Sequence, residues 1–265
     1  FKNYVLDDPS FASVELSKLT PQVIEKWLDR VRKRPSTAGA NRGQLRSDST
    51  LNRDITPFRA ALNYALGQAY ISSDFAWKNK LKPLKNADTK RQLYLDKEQR
   101  KLLIDLSADD LKLFVQGLCK LPLRPGALAS LVVRDFDPRL NVIQIADDKG
   151  KEFRLLHLPE SAAALFLMAT KDQMPETPIF RRDNSKAWNK DSWKVAIKDA
   201  VEAAALPADT TAYTLRHSTI TDLVHAGVDL LTVAQISGTS VRMIEKHYGH
   251  LRSNVAKSAL EFLDF

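Results

Sequence analysis

The 265-residue sequence holds one cysteine, Cys119, set in an apolar helical pattern. One thiol cannot form a disulfide within the chain and cannot build a cysteine-based zinc site. A reducing, intracellular setting is expected. Long apolar runs are missing too. No stretch approaches the roughly 20 residues that a membrane helix needs, and no secretory leader is visible, so the expected location is the cytoplasm, away from membranes. The chain opens on Phe1 instead of a methionine, which fits a trimmed or partial chain. Common catalytic signatures are absent as well. There is no phosphate-binding P-loop, no dinucleotide glycine fingerprint and no His-Glu-x-x-His zinc helix. There is no Gly-x-Ser-x-Gly elbow, and the aspartates form no obvious two-metal set. His247 and His250 alone are too few for a metal centre. No cofactor and no metal are expected. What remains for chemistry is cationic side chains and an oxygen nucleophile.

Charge is present, and it is uneven. The net charge is +8. Residues 1–92 carry 17 Lys and Arg against 9 Asp and Glu, whereas residues 93–265 carry 23 of each. The whole excess lies in the first third. A basic segment joined to a neutral one suggests a module that grips a polyanion; a merely well-solvated surface has the same composition.

Apolar spacing gives the organisation. Thr20-Pro21 is a cap followed by a proline, a good helix start. Val23, Ile24, Trp27, Leu28 and Val31 then mark one helical face, and Arg30, Arg32, Lys33 and Arg34 crowd its end. Residues 35–49 read as a loop. Leu51, Ile55, Phe58, Leu62 and Leu66 make a second long helix, with Arg53 and Arg59 off the stripe. Residues 1–82 therefore read as a small helical domain, and residues 83–95 as a basic linker. A linker lying along DNA wants this composition, because each neutralised phosphate releases counterions. A second domain, 96–265, opens with Asp96 and Gln99 as a capping box. Helices are expected at about 97–106, 109–119, 160–169, 190–204, 215–225, 230–236, 241–248 and 253–263. Asn141–Ala146 and Phe153–Leu158 alternate like strands around the turn-like Asp147-Asp148-Lys149-Gly150-Lys151. The expected fold is mainly α with a small antiparallel β-sheet: an α+β second domain behind an all-helical first one.

The segment Tyr213-Thr-Leu-Arg216-His217-Ser218 reads as a helix start, with Arg216 in a first turn that welcomes anions. Asp229–Ile236, Gly238 and Ser240–His247 read as helix, tight turn and short helix. Tyr248 ends the short helix and Gly249 is expected to stop it. A lone tyrosine there would more often serve a core.

Residues 213–251 resemble the C-terminal signature of the tyrosine recombinases of phage-integrase type. Arg216 precedes Tyr248 by 32 residues, Gly238-Thr239-Ser240 falls where that family has Gly-His-Ser, and His247-Tyr248-Gly249-His250-Leu251 is similar to its tyrosine segment. Leu121-Pro-Leu-Arg124-Pro-Gly-Ala-Leu128 resembles its first arginine box, and Lys149 its hairpin lysine. The resemblance implies site-specific cutting and rejoining of double-stranded DNA without ATP or metal. A 3′-phosphotyrosyl intermediate would form, and a tetramer would assemble on DNA from protomers that can be monomers when free. It further implies Tyr248 as nucleophile, Arg124 and Arg216 as a clamp on the non-bridging oxygens, and Lys149, with Lys151 as fallback, as proton donor to the leaving 5′ oxygen.

Three positions depart from the family pattern. Tyr213 and Thr239 stand where it has histidines, and Ala127 where it has an acidic residue. Tyr213 and Thr239 keep hydroxyls that can bond a phosphate or the nucleophile, and His217 is the candidate to compensate for the missing base. The rival reading is a non-catalytic, sequence-specific DNA-binding protein, in which residues 230–247 serve as a helix-turn-helix. A second rival is a type IB topoisomerase. The catalytic reading requires Arg124, Lys149, Arg216 and Tyr248 to converge.

Overall fold

A computed structural model describes residues 4–36, 42–85, 87, 93–146 and 153–252. The chain divides into two compact units, Phe1–Lys90 and Arg91–Phe265.

The first unit is helical among its described residues, with α1 (Pro9–Ala12), α2 (Pro21–Lys33) and α3 (Asp48–Gly67). Thr20 caps α2 by accepting the Val23 N–H at 3.3 Å, and Ser47 caps α3 through the Thr50 N–H at 3.3 Å. The apolar stripes read from the sequence face inward, where Phe11, Trp27 and Phe58 pack ring on ring with centroids 4.8–5.5 Å apart. Both indole N–H groups drawn into this core are satisfied. Trp27 Nε1 donates to Tyr4 O at 2.6 Å, and Trp77 Nε1 donates to Asn63 Oδ1 at 2.9 Å. Asn52 bonds both backbone groups of Leu84, at 2.8 and 3.0 Å. The start of the basic connecting stretch is thus tied to α3.

The second unit contains α4 (Lys97–Asp105), α5 (Asp109–Lys120), α6 (Pro125–Ala129), β1 (Phe136–Asp137), β2 (Val142–Ala146), β3 (Phe153–His157), α7 (Glu160–Thr170), α8 (Lys190–Ala203), α9 (Ala212–His225), α10 (Leu230–Ser237) and α11 (Val241–Tyr248). The Asp96–Gln99 capping box forms as the sequence predicts. The strands make one antiparallel sheet in the order β1-β2-β3. The expected strand at Asn141 begins one residue later, because Asn141 adopts φ 52°, a left-handed conformation that breaks the extended run and that Asn tolerates better than most residues. The lysine-bearing turn between β2 and β3, with Lys149 and Lys151, lies outside the described residues, as does the helix expected at 253–263.

Helix α5 is the hub. Leu111, Phe114, Val115 and Leu118 are fully buried, and α4, α6, α7, α8 and α9 all pack on this helix. Gly117 makes one approach possible: a Cβ there would stand 2.9 Å from the Leu128 side chain and 3.0 Å from Phe180. Without it α6 could not sit so near α5, and the N-cap of α6 is Arg124.

Helix α9 is buried on nearly every side although its sequence looks polar. Two of its hydroxyls are satisfied by its own backbone: Ser218 donates to Thr214 O at 2.9 Å and Thr219 to Leu215 O at 3.2 Å. Ser218 also accepts the Leu95 N–H at 2.9 Å, and Tyr94 and Arg100 both bond Asp222. The first residues of the second unit are therefore stitched to the helix that carries Arg216.

Candidate active site

The sequence predicts Arg216 in the first turn of its helix. Capping by Thr211 and Thr214 instead starts α9 at Ala212, so Arg216 falls in the second turn, too far along for the N-terminal backbone amides to share an anion with it. Its placement comes from elsewhere. The side chain is 8% exposed. Nη1 donates to Ser237 O at 2.8 Å and also to Pro122 O, two residues before Arg124. These carbonyls hold the guanidinium in place without cancelling its charge.

Burial pulls the Arg216 pKa down to about 10, and the Arg124 charge acts in the same direction. The phenols of Tyr248 and Tyr213 raise it, and Arg154 lowers it further. Arg124, Arg154, Arg216, Tyr213 and Tyr248 therefore share one electrostatic neighbourhood. The pKa of about 10 leaves Arg216 charged at neutral pH, but in a fold that disfavours the charge relative to the unfolded chain. An anion arriving between the arginines would reverse that preference.

Tyr248 is the last residue of α11 and is 9% exposed. Its ring joins a small apolar cluster with Ile220, Val224, Val233, Ala234 and Ile244. Its hydroxyl lies 3.0 Å from His217 Nδ1, with the two rings 5.1 Å apart. His217 thus stands beside the phenol, in hydrogen-bonding position to take its proton in the tautomer with bare Nδ1. Gly249 does not stop the helix in a left-handed turn; it has φ −57° and ψ −32°, and the chain runs on as a 3₁₀ turn through Arg252.

Gly238-Thr239-Ser240 forms the joint between α10 and α11. Gly238 takes φ 66°, the Thr239 N–H donates to Ala234 O at 3.0 Å, and Ser240 caps α11 by accepting the Met243 N–H at 3.3 Å. This is a Schellman closure running straight into a new helix. Thr239 lines a 340 Å³ pocket with Arg124, Ala127, Arg154 and Gly238, and among the described residues none of its lining is acidic. Tyr213 is 49% exposed.

The structure thus brings together Arg124, Arg216, Tyr248 and His217, with Tyr213 close to Arg216 and Thr239 on the pocket wall shared with Arg124. Lys149 is outside the described residues. Arg154 is the residue that sequence reasoning passes over. Its one signal is its place in a strand whose outward residues prove to be Phe153 and Leu155, at 68% and 64% exposure. The apolar side chains point out and the arginine turns toward the site.

Among the described residues, no group of three or more metal-binding side chains occurs, and no helix is long and apolar enough to cross a membrane.

Several solved structures share this fold. The Tn1549 transposon integrase, in a complex with circular intermediate DNA, has a TM-score of 0.72 at 18% identity over 96% of this chain and 89% of that one. XerH site-specific recombinase, bound to a palindromic difH substrate, has a TM-score of 0.68 at 16% identity over 94% and 74%. XerA recombinase has a TM-score of 0.53 at 22% identity over 100% and 91%. At these identities the likeness is one of fold. No curated protein matches the sequence. The family model described as the phage integrase family matches residues 94–254, more than half of the chain and every described site residue named above, so the chain belongs to the phage integrase family, the tyrosine-type site-specific recombinases.

Proposed function

We propose that this protein binds double-stranded DNA and exchanges its strands through a 3′-phosphotyrosyl ester on Tyr248. The observation that carries the reading is the Tyr248 hydroxyl, 3.0 Å from His217 Nδ1 and inside the field of the buried Arg216 charge.

A free phenol has a pKa of about 10 and attacks poorly at neutral pH. His217 accepts its proton as the phenolic oxygen bonds to phosphorus and the bond from phosphorus to the 5′ oxygen breaks. Arg124 and Arg216 stabilise the negative charge that grows on the non-bridging oxygens. Donor hydrogen bonds from Thr239 and Tyr213 add to that stabilisation. The departing 5′ oxygen takes a proton, the role assigned to Lys149. One ester replaces another, so a 5′ hydroxyl from either duplex can attack the phosphotyrosine and restore the diester with no added energy source. The basic first unit supplies affinity by neutralising phosphates. The DNA complexes of the Tn1549 integrase and XerH support DNA as the partner. Exchange between two duplexes calls for four protomers, two on each.

The test is an SDS-resistant adduct on nicked candidate DNA sites, with wild type and Tyr248→Phe side by side. The expected outcome is an adduct with wild type and none with the variant. Salt-sensitive binding without any adduct would instead favour a protein that binds DNA and leaves it intact.

A further inference from the structure

Two arginines converge on one helix end. The last carbonyls of α10 lie beyond the regular bonding of their own helix and carry the negative end of its dipole. Arg216 takes that of Ser237. Arg154, reaching from β3, where it pairs with Ile145 of β2, takes the two before it: Nη1 donates to Gln235 O at 2.6 Å and to Ile236 O at 2.7 Å. That helix end is worth about half an elementary negative charge.

The following turn is moulded around the Arg154 guanidinium. A Cβ at Gly238 would lie 2.7 Å from Nη2 and 2.9 Å from Cζ. Glycine is needed there for the left-handed backbone and again for the space. Thr239 comes next, its N–H bonded back to α10. The hydroxyl-bearing residue of the pocket is therefore placed by the same turn.

We propose that Arg154 is a positioning residue: it latches β3 to the end of α10, sets the Gly238–Thr239 turn, and through that turn places the Thr239 hydroxyl at the pocket wall it shares with Arg124. A guanidinium suits the task because its planar fork of donors can hold two carbonyls at once. An acidic latch would hold no carbonyl and would repel the DNA. The catalytic consequence rests on the strand-transfer reading above; the latch itself does not.

Two measurements separate these levels. The first is amide hydrogen exchange on the DNA-free protein, comparing wild type, Arg154→Met and Arg154→Lys. The Thr239 amide should exchange about tenfold faster in the methionine variant, with partial recovery in the lysine variant and no change in α5. An unchanged Thr239 amide overturns the latch, and so does an increase spread equally over α5. The second is the rate of adduct formation for Arg154→Met, Thr239→Val and the double variant. Each single change should slow it about tenfold, and the double variant should be no slower than the worse single one, because both act through one hydroxyl. A double variant slowed by the product of the two would show that Arg154 acts independently of Thr239. A wild type that forms no adduct would sink the strand-transfer reading, while the exchange experiment would still decide the latch.

Discussion

Arg46 in the first unit and Arg216 in the second are both buried, and the fold treats them in opposite ways. The Arg46 side chain is 2% exposed, is ion-paired with the Asp54 carboxylate and lies over the Tyr4 ring at 4.1 Å. Arg100, in the second unit, is handled likewise, with Asp222 as its carboxylate. Among the described residues, Arg216 bonds only neutral carbonyls and has Arg124 and Arg154 for neighbours. A buried charge is costly unless paired. Where the pairing is internal, the arginine serves the fold. Where the fold supplies like charges and dipoles instead, the complementary charge is an anion brought from outside. On the proposed function, the difference would separate a structural cation from a functional one without reference to motifs.

The largest effect that would sharpen this contrast is expected from Arg216→Gln. Adduct formation should fall by about 10²–10³-fold, the usual loss for one transition-state donor, with DNA affinity within a few-fold of wild type by filter binding. Cleavage retained in that variant would place Arg216 with Arg46 as a structural residue. Next comes Arg46→Met, which leaves the half-buried Asp54 carboxylate without its counter-charge. Urea titration of the variant should show a loss of about 3 kcal/mol, with unaltered adduct formation per folded molecule. A variant that stayed stable but failed to cleave would break the comparison from the other side. The smallest effect belongs to the exposed end of α2. Changing Arg32 and Lys33 to Gln should weaken DNA binding several-fold and flatten the plot of log affinity against log salt by about one unit for each phosphate no longer neutralised. An unchanged slope would remove that surface from the DNA-binding footprint.

How much of this is legible in the sequence depends on the range of the interaction. Helices α2 and α3 are readable because their stripes, Ile24 to Val31 and Leu51 to Leu62, repeat over several turns. The Asp96–Gln99 box is readable because both bonds span three residues. Helix α6 escapes notice, since Pro125–Ala129 is too short to show a period, and β1 has only two residues. In the site, Arg124, Arg216 and Tyr248 stand out only through the resemblance to the recombinase signature, and His217 is a candidate whose ring could equally have packed elsewhere. The bond from His217 to Tyr248 spans 31 residues, and no local pattern announces it. Arg154 is invisible for a stronger reason. Its partners are backbone carbonyls 81 and 82 residues away, and carbonyls carry no side-chain identity. The trace it leaves is the glycine at 238, which reads in the sequence as a turn residue and which in the structure also yields its side-chain space to a guanidinium.

The seat of Tyr248 has a consequence for the safety of the genome on which such a protein works. A phosphotyrosine ester is a broken strand awaiting repair, and its chief hazard is a water molecule that arrives before the next DNA end. The ring of Tyr248 sits among Ile220, Val224, Val233 and Ile244, with little surface left to solvent. Those apolar walls close the ring's side of the oxygen to water, so an ester there would be approached only from the side of His217 and the arginines. On the proposed mechanism, the shelter that makes the tyrosine look like an ordinary core residue would narrow the routes by which water could turn rejoining into a permanent break.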